Sequence, residues 1–258
     1  MSTDFRAPAG TACVAARDIN VVGTGDGLEI LKSVSDAFNR ANPGVKVSVP
    51  PSIGSGGAIV AVGSNREMVG RVARPLTNTE EASGLAYRPL FHVPAAFFVH
   101  PEVPVRNLTP AQLRGIFAGE IVSWKQVGGP DLRIRVVRRE EADSSLAVLR
   151  WTIPAFLDLK LTERSKLAMT TQEAIDSIKE NPGAIGFGSY SAALAKELGV
   201  VSINGVAPTD KEYVSRVTVA LIFKPERIDG DVKRYIDFFW RSEATSIVES
   251  YGARPSER

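Results

Sequence analysis

The sequence predicts an α/β fold, and three observations carry that prediction. Short β-rich runs alternate with amphipathic helical ones along the whole chain. A strand–turn–helix unit recurs at Gly23–Leu28, Gly54–Ala58 and Arg139–Leu146. A chain of 258 residues, 44% apolar and 23% charged, has enough core-forming side chains for one large domain or two lobes. Alternation of this kind implies largely parallel sheets.

Taken in order, residues 1 to 17 read as a loose lead-in rich in Ala, Thr and Pro. "INVVG" reads as a buried strand, and the following helix places Leu28, Leu31, Val34 and Phe38 on one face. "NPG" ends that helix, and "VKVSV" alternates like a strand. "GSGGAIVAVGSN" repeats the opening unit, a glycine-serine turn running into a helix. "LFHVPAAFFVHP" is a β-rich run. In "NLTPAQLRGIFAG", Thr109 is placed to cap a helix, Pro110 suits its first position and Gln112 completes a capping box. "IRVVRREEADSSLAVLRW" is the third strand–turn–helix passage. Thr170 and Glu173 predict a second capping box in "TTQEAIDSIKENPG", stopped by Asn181-Pro182-Gly183. "AIGFGSY" and "VTVALIFK" read as strands, and amphipathic helix closes the chain.

Bulk composition excludes several classes. A net charge of +2 gives no argument for nucleic acid or an acidic membrane. The single cysteine, Cys13, rules out an internal disulfide and a cysteine-rich metal site. His92 and His100 stand eight apart with no third ligand in view, so no metal and no cofactor is expected. No apolar run approaches the roughly 20 residues of a membrane-spanning helix. The N-terminus shows no signal peptide, and Gly10 stands where a lipoprotein cleavage site before Cys13 would want an aliphatic residue.

In parallel α/β sheets the turns that follow the strands gather on one edge. Helix starts there present unpaired N–H groups and a positive dipole end, which suit an anion. Each of the three turns alone is weak evidence. Three together, one entered from the arginine-rich strand end "RVVRR", point to a shared anion seat.

The later landmarks sharpen this. From Ile19 to Pro255 the chain resembles the substrate-binding components of ABC importers of the phosphate-binding (PstS-like) group. The resemblance rests on "NLTPAQLRGIFAGEIVSWKQVGGPDLRIRVVRR", "NPGAIGFGSY", "FFWRSEATSIVESYGARP", "GSGGA" and "ARPL". It implies a two-lobed type II periplasmic-binding-protein fold with a ligand cleft between the lobes. Residues 1–94 would form the first part of lobe one and 95–217 lobe two. Residues 218–258 would supply the return strand and the C-terminal helices completing the shell. It also implies a monomer that is periplasmic or extracytoplasmic, captures phosphate or a related oxyanion without catalysis, and hands it to a membrane permease on closure.

Carried over by position, the ligand residues would be backbone donors of Gly27 and Leu28, the hydroxyl of Ser55, Arg139, and the triplet Asp143, Ser144 and Ser145. Two positions depart from the pattern. Ala73 stands where the family has an aspartate that accepts the ligand's proton, and Asp143 stands where a neutral hydroxyl is expected. A carboxylate 4 Å from a unit anion costs on the order of 4 kcal/mol at an effective dielectric near 20. One hydrogen bond to a charged group returns only about 1.5–3 kcal/mol. Asp143 therefore either turns away to cap its own helix, or accepts a proton from the ligand, or the ligand is not phosphate.

Other residues have plainer readings. Arg139 has Glu140 and Glu141 as competing partners, Arg74 either pairs with an acid or lines the cleft entrance, and Asp26 is expected to stabilise a turn. Trp124 is expected to be architectural, and Tyr190 to face either ligand or core. Two alternatives to transport remain. One is a sensor of the same fold coupled to a membrane receptor. The other is a phosphate-ester hydrolase, disfavoured because "IGSGG" around Ser55 is not a nucleophile elbow.

Overall fold

Branched side chains at Ile19, Val21, Val45, Val47, Val69 and Val72 are all buried, and a sheet lets such residues pack without losing further rotamer freedom. The computed structural model describes residues 17–258. The readings of Cys13 and the N-terminal lead-in lie outside these residues.

In chain order, β1 (Arg17–Gly23), α1 (Leu28–Ala41), β2 (Val45–Ser48), α2 (Gly54–Gly63), β3 (Val69–Val72) and α3 (Asn78–Ala82) lead to the long β4 (Ala86–Val99). There follow β5 (Asn107–Leu108), α4 (Pro110–Ala118), β6 (Arg135–Arg139), α5 (Ser144–Thr152), β7 (Ser165–Ala168), α6 (Thr171–Glu180), β8 (Ala184–Ser189), α7 (Leu194–Glu197) and β9 (Gly199–Ile203). The chain then returns through β10 (Arg216–Phe223), α8 (Gly230–Phe238), α9 (Ser242–Ser250) and β11 (Arg254–Pro255).

The main strand order is β2-β1-β3-β10-β4-β8-β6-β7. β1 runs parallel to β2 and β3, and β6 runs parallel to β7 and β8. β10 is antiparallel to both β3 and β4, and β4 is antiparallel to β8, β9 and β11. The expectation of largely parallel sheets is therefore corrected to a mixed sheet. β4 and β10 are the reason, since each runs against its neighbours. β4 pairs with β10 up to Pro94 and with β8 from Ala95 onward, so one strand carries the sheet from one lobe into the other.

Each lobe has its own core. In the first, Leu31, Val34 and Phe38 of α1 pack on Ile19, Val21, Phe91, Tyr235 and Phe238. Phe38 meets Tyr235 and Phe238 edge-on at 5.3 and 5.5 Å. Ile30 joins that buried face, whereas Leu28, expected on it, is only half-buried. In the second lobe Phe97, Phe117, Phe156 and Phe187 cluster around ring separations of 5.5 to 6.2 Å, beside buried Trp124. Burying each such side chain is worth about 1.5–3 kcal/mol. Trp124 is architectural here: its indole N–H donates to the Gly183 carbonyl at 2.9 Å.

Local signals held where partners lie within one turn. Thr109 and Gln112 form the full capping box of α4. At α6 only half of the expected box forms. Thr170 accepts from the Glu173 N–H, but the Glu173 carboxylate accepts from Met169 N–H instead and pairs with Lys166.

Candidate ligand site between the lobes

The ends of β1, β2 and β3 are tied together by one buried side chain. Arg71, on β3, is fully buried and donates from Nε to the Thr24 carbonyl at 2.6 Å and from Nη2 to the Pro50 carbonyl at 2.8 Å. Its Nη1 donates to the Val21 carbonyl. Burial pulls the guanidinium down to about 10, which leaves it charged at neutral pH. The turn that follows β1 and the one that precedes α2 are thereby held side by side, with Ile53 N–H donating to the Gly23 carbonyl at 2.9 Å.

Gly27 caps α1 in the left-handed region, at φ 64°. A Cβ there would lie 2.7 Å from the Phe91 ring, so glycine is required both for conformation and for packing. Ser55, in the first turn of α2, is buried and accepts from the Ala73 N–H at 3.1 Å. Ala73 thus serves through its backbone.

From the other lobe, β6 delivers Arg139 and the turn into α5. Asp143 is the N-cap of α5: its Oδ1 accepts from Leu146 N–H at 3.0 Å. Its Oδ2 lies 2.7 Å from Arg139 Nη2. Burial, together with the charge of nearby Asp26, pushes the Asp143 carboxyl up to about 6, against the opposing pull of Arg139 and the Leu146 N–H. Arg139 therefore pairs with Asp143 and not with Glu140 or Glu141; Glu141 pairs with Arg150. Arg139 Nη2 also approaches the Met169 carbonyl at 3.5 Å, and its buried Nε has no hydrogen-bond partner among the described residues. A buried N–H without an acceptor is costly, and here it is held beside the first turn of α5.

The two lobes meet at these turns. Ser55 Oγ lies 3.2 Å from Ser144 Oγ. Asp26 Oδ1 accepts from Ser145 Oγ at 3.4 Å and from Ser189 Oγ at 2.5 Å, and Oδ2 accepts from Thr24 Oγ1 at 2.9 Å. Ser55, Arg139, Asp143, Ser144 and Ser145 are thus brought together. Gly27 and Leu28 are not in that cluster: they line a cavity of about 660 Å³ with Gly25, Ser52, Thr171 and Ser189, and none of the five clustered residues lines it. The Leu28 N–H is engaged within its own turn by the Gly25 carbonyl at 3.3 Å.

Sequence reasoning missed the reach of Asp26 and the involvement of Ser189. Asp26 does stabilise its turn through Thr24, but it also crosses to the other lobe. The signal for it was a carboxylate inside a glycine turn. For Ser189 it was only a hydroxyl at the end of a strand.

Remaining candidates are accounted for structurally. Arg74 makes a forked pair with Glu80 at 2.8 and 2.9 Å, which holds the Glu80 carboxyl down to about 2. His92 contacts Thr218 and Ser256 hydroxyls. Among the described residues no group of three or more His, Cys, Asp or Glu is placed to hold a metal ion, and no helix is long and apolar enough to cross a membrane.

A family model described as the PBP superfamily domain matches residues 8–239. The chain belongs to the PBP superfamily. Among curated relatives it is similar to the phosphate-binding protein PstS of Borreliella burgdorferi, at 25% identity over 91% of this chain and 88% of that one. It is also similar to PstS of Bacillus subtilis, at 24% identity over 93% and 81%. Among solved structures, one of a candidate phosphate ABC transporter substrate-binding protein from Clostridium perfringens, with bound phosphate, superposes with a TM-score of 0.84 at 24% identity. That match covers 93% of this chain and all of the other, and it establishes the two-lobed α/β architecture.

Proposed function

We propose that this PBP-superfamily chain is an extracytoplasmic solute-binding protein that captures phosphate or a related oxyanion between its lobes for an ABC importer. One observation carries the reading. Arg139, buried at the end of β6 beside the turn where Ser144 meets Ser55 of the opposite lobe, has an Nε–H without an acceptor among the described residues. A tetrahedral oxyanion is the group that would satisfy that donor together with serine hydroxyls and the N–H groups opening α5.

The ligand set is Arg139, Ser55, Ser144 and Ser145, with backbone of Gly27 and Leu28. Asp143 positions Arg139 and caps α5, and so need not oppose the anion as a free carboxylate. Among the described residues lobe one comprises 17–94 and 218–258 and lobe two 95–217, hinged where β4 exchanges one partner for another. The protein acts as a monomer and docks on a membrane permease. It is a binder and not a catalyst, a reading that the phosphate-binding names of its relatives support. The relatives' names support phosphate, and the Clostridium perfringens structure's description as an ABC transporter component favours transport over the receptor-coupled alternative.

Calorimetry with phosphate, arsenate and sulfate tests this. A micromolar dissociation constant, about −8 kcal/mol, is expected for at least one of them. Absence of heat and of thermal stabilisation with all three would remove the oxyanion class.

A further inference from the structure

Two hydroxyl donors of the second lobe, those of Ser145 and Ser189, are already engaged by a side chain of the first. Asp26 belongs to the turn between β1 and α1, yet its Oδ1 takes hydrogen bonds from Ser145 on α5 and Ser189 on β8. Its own lobe supplies Thr24 to Oδ2. Asp26, Ser145 and Ser189 are each at least nine-tenths buried. The charged groups facing Asp26 from the packed elements are Asp143, whose carboxylate feels it, and Arg139 through its pair with Asp143.

We infer that Asp26 is an internal latch: its carboxylate occupies hydroxyl donors of the opposite lobe and holds the two lobes together in the absence of a ligand. An oxyanion held by Ser145 must take that hydroxyl from Asp26, and for that part alone the inference rests on the oxyanion reading above. A tethered carboxylate competes at an effective concentration set by its short leash, in the millimolar range or higher. It also stands as a like charge beside an incoming anion. Asp26 therefore sets a threshold: it lowers affinity, and it makes closure a property of the empty protein.

The test combines small-angle X-ray scattering of ligand-free protein with phosphate calorimetry, on wild type and on Asp26→Ser. Ser189→Ala serves as a second variant in case the first fails to fold. Ligand-free wild type is expected to scatter as the closed form, and both variants to show a larger radius of gyration. Asp26→Ser is expected to bind phosphate about tenfold or more tightly than wild type. A ligand-free wild type as expanded as both variants overturns the latch, whatever phosphate does. Variants that stay as compact as wild type and bind phosphate no better also overturn it. If the variants expand but no protein binds phosphate, the latch stands and the oxyanion reading falls.

Discussion

Two buried arginines sit at the inner edges of the two lobes, and they differ in one respect. Arg71 is fully buried and spends its guanidinium on three backbone carbonyls, those of Val21, Thr24 and Pro50. Arg139 is nearly as buried, and among the described residues it has one close partner, the Asp143 carboxylate, while its Nε has none. The first arrangement is complete and holds three strand ends in place. The second is incomplete by one acceptor. A buried donor left open is retained against a desolvation cost, and the proposed ligand site is built on the incomplete arginine for that reason.

The largest effect should follow from Arg71→Met. It strands three carbonyls without a donor and should destabilise the fold on the order of 3–5 kcal/mol, read from urea midpoints. A loss under ~1 kcal/mol would remove the contrast between the two arginines. Arg139→Gln should act mainly on binding, weakening phosphate roughly a hundredfold, about 3 kcal/mol. Wild-type affinity by calorimetry would refute its role as the anion clamp.

The paired carboxylates sharpen the contrast further. Burial lifts Asp143 from 3.8 to about 6, so the folded state holds that proton more tightly than the unfolded chain. Its burial penalty is present in full above about pH 6 and is relieved as pH falls toward 3.8. Asp143→Asn, which keeps the cap, should flatten that slope between pH 7 and pH 4. Urea titrations of both proteins across that range check it, and parallel profiles would show that Asp143 is not the titrating group.

The smallest effect concerns lobe approach. A Cβ on Gly25 would stand 2.9 Å from Thr171 Oγ1 and 3.0 Å from its Cβ, on the opposite lobe. Gly25→Ala should leave stability within ~1 kcal/mol and weaken phosphate binding several-fold by obstructing closure. Scattering and affinity both unchanged would mean the lobes tolerate the extra methyl.

Much of this protein was legible wherever a partner lies within a few residues. Thr109, Gln112 and Thr170 announced their caps, and the apolar spacing of α1 announced its buried face. The capping role of Asp143 was one of the alternatives its residue type allowed. The three helix starts were visible as turn chemistry, and their common destination followed from the family resemblance. Glu173 marks the limit of such reading: its carboxylate reaches Met169, one residue outside the box that the spacing suggested.

Tertiary structure alone decided which groups face one another. Asp26 finds Ser145 and Ser189 across 119 and 163 residues, and Ser55 finds Ser144 across 89. Arg139 had three nearby acids and took the one on the helix cap, because that carboxylate is buried with it while Glu141 turns outward to Arg150. Local hydrogen bonds need only the backbone of one turn, so the sequence determines them. Pairing across the cleft depends on how β4 and β10 set the lobes and on which polar groups are thereby removed from water, and that is a property of the folded whole.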